Sequence, residues 1–118
     1  MDLVIKKLGK LFVLKIIGEF YLKNILEIDK TWNDLINEMP GIVAFDCSKM
    51  TFIDSSAIGT LVKFVNDSKK RNIEVVFVSL NSSVRKIFDA TRLDKMLNVI
   101  SGDEFESEYL QKYQKTDS

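Results

Sequence analysis

Histidine is absent from this chain of 118 residues, and cysteine and proline occur only once each. Without histidine, neither a Ser-His-Asp nor a Cys-His catalytic arrangement can form, and histidine-based metal sites are excluded too. The lone Cys47 can form neither an intramolecular disulfide nor a zinc cluster, which suits a reducing cytoplasm. Because the chain also lacks a glycine-rich phosphate loop, we expect neither a metal ion nor a cofactor.

Net charge and long apolar runs are lacking as well. Seventeen basic and seventeen acidic side chains cancel, which argues against a nucleic-acid-binding face. No apolar run approaches the length of about 18 residues that spans a bilayer, and the first residues lack a signal-peptide pattern. Hydrophobic residues make up 46% of the chain and charged residues 29%, the mix of a soluble globular domain. We expect a cytoplasmic protein that binds neither nucleic acid nor membrane.

Apolar patterning predicts strands that alternate with amphipathic helices. Strands are expected at Leu3–Ile5, Leu11–Ile17 (ended by Gly18), Ile42–Phe45, Ile73–Val78 and Leu97–Ile100. Helices are expected to begin near Asn24 (a capping box with Glu27, and an apolar stripe reaching Met39), Asp54 and Asn81, with a terminal helix through Phe105, Tyr109, Leu110 and Tyr113. This order predicts an α/β fold, with a mixed, mostly parallel sheet of four to five strands packed with about four helices. One domain would span residues 1–113, and residues 114–118 would form a polar tail.

In successive βαβ units the turns that leave the strands lie on one edge of the sheet. Those turns are Gly18–Asn24, Cys47–Ser55 and Ser79–Ser83. Ligands and partners of open α/β sheets gather at that edge, which makes it the first place to look for a site.

The middle turn contains the run Asp54-Ser55-Ser56 directly before an apolar helix. Asp54 is expected to be the N-cap, so both serines fall in the first helical turn, where free backbone N–H groups favour an anion. A phosphate there gains about 0.3–1 kcal/mol from the helix dipole, roughly offset by repulsion from Asp54. Phosphorylation would thus spare the fold while adding about two negative charges. The alternative is that the run is only a helix cap.

A wider pattern surrounds this run. The segment Phe52-Ile53-Asp54-Ser55-Ser56-Ala57-Ile58-Gly59 follows the strand Ile42–Asp46, with Gly18-Glu19 before it and Val75–Val78 and Val84–Asp89 after it. Together these segments resemble the STAS domain, and more specifically the bacterial anti-sigma-factor antagonists, over about residues Val4 to Val99. Departures from the family pattern include Tyr21, where an acidic residue is common, and Ala57, where glycine is frequent.

The resemblance implies a partner switch. The unmodified antagonist would bind a serine kinase that doubles as an anti-sigma factor, which frees the sigma factor for transcription. The kinase would then use ATP to phosphorylate Ser55, and a PP2C-type phosphatase would reset the switch. Asp54 and Ser56 would form the environment of the phosphorylated serine, Ser56 as a capping or packing residue.

The expected partner surface draws on all three turns: Glu19, Phe20, Tyr21, Asp54, Ser55, Asn81 and Ser82. Phe20 and Tyr21 could offer an exposed apolar contact there, with core packing of Phe20 as the alternative. Elsewhere we expect Cys47 and Trp32 in the core, and we expect Gly59 to permit close approach of a helix to the sheet.

Two other classes of function stay open. Because Tyr21 stands where an acidic residue is common, the protein could instead be a constitutive STAS scaffold or a small-ligand-binding module that is not phosphorylated. An enzyme with a Ser-Lys pair is the other, but no lysine is placed persuasively near Ser55, so we expect a non-enzymatic protein.

Overall fold

The computed structural model describes residues 1–92 and 96–113, so the predicted tail at 114–118 lies outside the described residues. The strands are β1 (Asp2–Leu8), β2 (Leu11–Phe20), β3 (Ile42–Ile53), β4 (Glu74–Val78) and β5 (Val99–Ile100). The helices are α1 (Ile25–Ile36), α2 (Ser55–Lys70), α3 (Ser82–Ala90) and α4 (Gly102–Phe105), which continues into a wider turn at Glu106–Leu110. This is the predicted order of elements.

The five strands form one sheet in the order β1-β2-β3-β4-β5. β1 runs antiparallel to β2 across the two-residue turn Gly9–Lys10, and the remaining neighbours pair in parallel. The predicted mixed, mostly parallel α/β sheet is confirmed.

Each face of the sheet carries its own core, because successive strand residues point to opposite faces. In β3, Val43 and Phe45 pack with buried side chains of α1, α2 and α3 on one face. Ile42 and Ala44 pack with Phe105 and the turn after α4 on the other face. This double coverage explains why β2, β3 and β4 contain nearly unbroken apolar runs.

Three strands are longer than predicted, and β1 is one of them, since it spans Asp2–Leu8 rather than Leu3–Ile5. β2 continues past Gly18 to Phe20, and β3 continues past Phe45 to Ile53. The pairing of β3 with β4 ends at Asp46 and Val78. The pairing of β3 with β2 continues beyond that point, with a shift of register on either side of Gly18. Gly18, at φ +90°, therefore lies inside β2 rather than at its end, where β3 carries the extra residue Thr51 of a bulge.

The start and end of α1 also differ from the prediction. Asn24 has helical backbone angles, and its Oδ1 accepts a hydrogen bond from the Tyr21 N–H at 2.9 Å. It thus closes a short 3₁₀ turn, Leu22–Asn24, and the predicted capping box with Glu27 is wrong. The helix ends at Ile36, and Met39, at φ +56°, is exposed beyond it.

Three expectations about single residues have clear outcomes. Trp32 and Cys47 are buried in the core as predicted. Gly59 is exposed, and a Cβ atom built on it meets nothing within 4 Å, so close approach to the sheet does not explain this glycine.

Among residues 1–92 and 96–113, no helix is long and apolar enough to cross a bilayer.

Candidate functional site

The carboxyl ends of β2, β3 and β4 meet at one edge of the sheet, because these strands are parallel. The turn after β2, the start of α2 and the start of α3 all lie there. We call this region the carboxyl edge and define it as Glu19–Asn24, Asp54–Ser56 and Ser79–Ser82. It holds every residue of the predicted site, although the middle connection is only Asp54 rather than a loop from Cys47.

Asp54 joins two parts of the carboxyl edge. Its Oδ1 accepts a hydrogen bond from the Ala57 N–H at 2.8 Å, so it is the N-cap of α2 as predicted. Its Oδ2 accepts a hydrogen bond from the Leu22 N–H at 2.9 Å, which ties the turn after β2 to the same carboxylate. The side chain thus has a structural partner on each oxygen.

Ser55 and Ser56 are the first two residues of α2, and both are exposed. The capping oxygen comes from Asp54, and the Ser56 backbone carbonyl accepts a hydrogen bond from the Thr60 hydroxyl at 3.2 Å. The prediction that the Ser56 side chain caps or packs is therefore wrong. Both serines are exposed, so exposure alone does not distinguish Ser55 from Ser56.

The start of α3 is built in a similar way. Asn81 Oδ1 accepts a hydrogen bond from the Val84 N–H at 2.8 Å, and Asn81 Nδ2 donates to the Met50 carbonyl at 2.8 Å. Asn81 thus fixes α3 against the extended end of β3, and both ends of its amide are engaged within the protein. Ser82, the first residue of α3, is exposed beside it.

Large apolar side chains are exposed at the carboxyl edge and on the residues that flank it in β3 and α1. Leu22 is 65% exposed, Leu26 is 86% exposed and Phe52 is 40% exposed. The half-buried ring of Tyr21 lies against Phe52, with ring centroids 5.3 Å apart. We call Tyr21, Leu22, Leu26 and Phe52 the apolar patch; such exposed groups are typical of a surface that meets another protein.

The predicted contribution of Phe20 to this surface is wrong. Its side chain is 0% exposed and belongs to the core on the face of the sheet that α1, α2 and α3 cover. Leu22, Leu26 and Phe52 were missed instead. The four-residue spacing of Leu22 and Leu26, away from the apolar stripe of α1, is the sequence signal that could have revealed two of them.

The phenol of Tyr21 is neutral at physiological pH. Partial burial raises the pKa of Tyr21 above its ordinary value. A hydrogen bond with Glu19 and the negative charge of Glu19 raise it further. The position that is often acidic in the antagonists therefore presents an uncharged aromatic ring here.

Cys47, in contrast to the exposed serines, is fully buried. Burial raises the pKa of its thiol far above the ordinary range, and the Sγ lies 3.6 Å from the Phe45 carbonyl. A protonated, buried thiol is a poor nucleophile, so Cys47 acts here as a small apolar core residue.

A family model described as the STAS domain matches residues 2–105. The chain belongs to the STAS domain family. This STAS domain is similar in structure to an anti-sigma factor antagonist from Mycobacterium paratuberculosis, at 15% identity and a TM-score of 0.77, covering 98% of this chain and 92% of that one.

Three other solved structures are similar. The anti-sigma factor antagonist SpoIIAA in its unphosphorylated form matches at 14% identity and a TM-score of 0.77, covering 93% of this chain and 97% of that one. SpoIIAA from Bacillus in its phosphorylated form has a TM-score of 0.69. A sulfate transporter family protein from Wolinella succinogenes matches at 14% identity and a TM-score of 0.71, covering 91% and 89%. At such identities these similarities establish the fold.

Proposed function

We propose that this STAS domain is an anti-sigma-factor antagonist that binds a serine kinase/anti-sigma factor and is released when Ser55 is phosphorylated. A PP2C-type phosphatase would remove the phosphate, and the protein itself would have no catalytic role. The cycle would take place in the cytoplasm. The observation that carries the proposal is the exposed Ser55 at the start of α2, directly after Asp54, whose carboxylate holds the backbone of Leu22 in the apolar patch.

A kinase that phosphorylates Ser55 must cover the surface around it. The Leu22 N–H bonds to the Asp54 carboxylate, and Phe52 precedes Ser55 by three residues, so the apolar patch falls inside that covered area. Burial of exposed apolar side chains is the main favourable contribution to such an interface. Burial of the apolar patch would therefore favour tight binding of the unmodified protein to its kinase.

Phosphorylation would reverse this balance. A phosphate on Ser55 adds about two negative charges next to the Asp54 carboxylate, and burying those charges against the kinase would be costly. The fold should tolerate them, because Ser55 is exposed and the first turn of a helix favours anions. SpoIIAA, which shares the fold, has been solved in both phosphorylated and unphosphorylated forms.

Phosphate mapping after incubation with the kinase and ATP tests the proposal. We expect one phosphate on Ser55, no modification of the variant Ser55→Ala, and unchanged modification of Ser56→Ala. The latter is the matched control, because both serines are exposed in the same helical turn. A phosphate on Ser56, or none with a demonstrated kinase partner, would contradict the proposal.

A constitutive scaffold or ligand-binding module is the second candidate, and Tyr21 favours it. The neutral ring packed on Phe52 replaces a charge that is common near the phosphorylated serine of the antagonists. Under this alternative, native mass spectrometry would find the purified protein in a large assembly or carrying a small molecule, and Ser55 would stay unmodified.

A further inference from the structure

The two outer strands of the sheet, β1 and β5, differ greatly in length. β5 contains only Val99 and Ile100, which offer little backbone for another chain to pair with. β1 spans Asp2–Leu8, contains no proline and pairs with β2 without any shift of register. Short strands, prolines and bulges are among the means by which proteins keep an open sheet edge from pairing. β1 has none of these three features, so its outer edge can accept a further strand.

The hairpin determines which backbone groups of β1 face this outer edge. β1 and β2 are joined by a two-residue turn, so Leu8 and Leu11 close the hairpin as a hydrogen-bonded pair. Opposite residues of an antiparallel ladder alternate between hydrogen-bonded and non-hydrogen-bonded pairs. The N–H and C=O groups of Leu3 and Ile5 therefore point away from β2, and no group among the described residues bonds to them.

The apolar side chains of β1 carry the core out to this edge. Val4 is 50% exposed and Ile5 is 43% exposed, and as neighbours in a strand they lie on opposite faces of the sheet. Ile5 lies opposite Leu14 of β2, which is fully buried in the core that α1, α2 and α3 cover. Leu3 lies opposite Ile16, which is buried in the same core. A strand that brings further apolar side chains would cover these exposed groups.

The charges on β1 indicate which strand fits. Asp2 and Lys6 are exposed on the same face of the strand, and in the part of the chain that the structure describes neither forms an ion pair. Lys7 differs, because its Nζ donates to both carboxylate oxygens of Glu38, at 2.8 and 2.6 Å. A strand with a lysine opposite Asp2 and an aspartate opposite Lys6 would pair both charges. β1 itself has this pattern when it runs antiparallel.

We propose that β1 pairs with β1 of a second copy of this chain, antiparallel about a two-fold axis at Val4, so that two five-stranded sheets become one. Asp2 then lies opposite Lys6 of the other copy, and the two Val4 side chains meet. Leu3 lies opposite Ile5 of the other copy, and these two residues exchange backbone hydrogen bonds. A shift by two residues in either direction would set Asp2 or Lys6 opposite Val4 and leave both charges unpaired.

Sedimentation equilibrium of the whole chain, from about 1 µM to 1 mM, measures this dimer. We expect reversible dimerisation with a Kd of about 100 µM or tighter, since a single pair of strands is a small interface. Asp2→Lys and Lys6→Asp should each weaken dimerisation at least about tenfold, because each sets like charges opposite one another. Lys86→Asp is the matched control: Lys86 is exposed on α3, away from β1, and its charge reversal should leave the Kd unchanged.

Mixing the two charge variants tests the register. An equimolar mixture of Asp2→Lys and Lys6→Asp should form heterodimers about as tight as the parent dimer, because every lysine again faces an aspartate. The double variant should regain the parent affinity for the same reason. Ile5→Pro removes an N–H group that faces outward, so it should abolish dimerisation and leave a folded monomer.

These measurements can overturn the proposal in several ways. A parent that is monomeric at about 1 mM would do so. Equal dimerisation of the parent and both single charge variants, no association in the mixture, or dimerisation of Ile5→Pro as tight as that of the parent would also do so. The dimer uses no residue of the carboxyl edge or the apolar patch, so its failure would leave the Ser55 switch standing.

Discussion

Asp54 is the residue on which the geometry of the carboxyl edge depends most. One carboxylate oxygen caps α2, the other holds the turn that carries Tyr21 and Leu22, and its backbone N–H donates to the Phe20 carbonyl at 3.2 Å. The neighbouring Ser55 makes no comparable structural contribution. An aspartate that organises the backbone therefore precedes an exposed serine.

Replacing Asp54 should cost stability that replacing Ser55 does not. We expect Asp54→Ala to lower the free energy of unfolding by about 1–2 kcal/mol, because α2 loses its N-cap. Ser55→Ala should stay within about 0.5 kcal/mol of the parent, as is usual for exposed positions. Urea denaturation measures both. Equal stability of the two variants would contradict the structural role of Asp54.

Asp67 should make stability depend on acidic pH. The hydrogen bond from Trp32, with help from Arg71, lowers the pKa of Asp67 below its ordinary value of 3.8. A carboxyl group whose pKa is lower in the folded state stabilises the fold above its unfolded pKa, and that contribution is lost as the pH falls through the folded pKa. Between about pH 5 and pH 2, the parent should therefore lose more stability than Asp67→Asn. Identical pH profiles in urea denaturation would contradict this assignment.

At the scale of elements, the extended ends of β2 and β3 form the carboxyl edge. Beyond Asp46, β3 is paired only with β2, and the two strands continue together to Phe20 and Ile53 across two register shifts at which β3 carries the extra residue. This extension carries Phe52 into the apolar patch. It also brings the Met50 carbonyl within reach of Asn81.

The alternating elements could be predicted from sequence because apolar periodicity records which faces are buried. The extension of β3 could not, because Ser48, Lys49, Thr51 and Phe52 are exposed and break the two-residue alternation. Their strand conformation comes from pairing with β2, which is remote in sequence. The predicted capping box at Asn24 is wrong for a similar reason. The side-chain oxygen of Asn24 accepts a hydrogen bond from the preceding turn and does not cap α1.

In the candidate site, too, some features could be predicted from the sequence and others could not. Asp54 as the cap of α2 and Asn81 as the cap of α3 follow from local residue chemistry, and both are confirmed. Whether Phe20 or Leu26 is exposed depends on how α1 and the turn before it pack, which the local sequence does not determine.

Two glycines should respond to alanine with opposite signs. Gly18→Ala should lower the free energy of unfolding by about 1 kcal/mol or more, because alanine is strained at φ +90°. Gly59→Ala should raise it by about 0.5–1 kcal/mol, since the site is helical and open. Chemical denaturation of the two variants checks this prediction, and a stabilising Gly18→Ala would show that this position of β2 does not need glycine.

At the scale of the whole molecule, the proposed partner surface lies apart from the two hydrophobic cores. The two cores lie on the two faces of the sheet, whereas the apolar patch and Ser55 lie at one end of it. A change of charge at that end can therefore alter binding without disturbing either core.

The apolar patch predicts which surface substitutions weaken partner binding. Leu26→Ser removes its most exposed member and should weaken kinase binding about tenfold or more, as expected for an interface hot spot. Met39→Ser is the matched control, because Met39 is also exposed but lies beyond the far end of α1, next to the start of β3. Calorimetric titration of the kinase with each variant measures the effect, and equal losses would show that the patch is not the docking surface.

The most direct test compares the affinity of the kinase/anti-sigma factor for this protein before and after stoichiometric phosphorylation of Ser55. We predict at least about 30-fold weaker binding of the phosphorylated form, roughly 2 kcal/mol, with a thermal midpoint within about 5 °C of the unmodified protein. Equal affinity of the two forms, or loss of affinity only through unfolding, would contradict the switch.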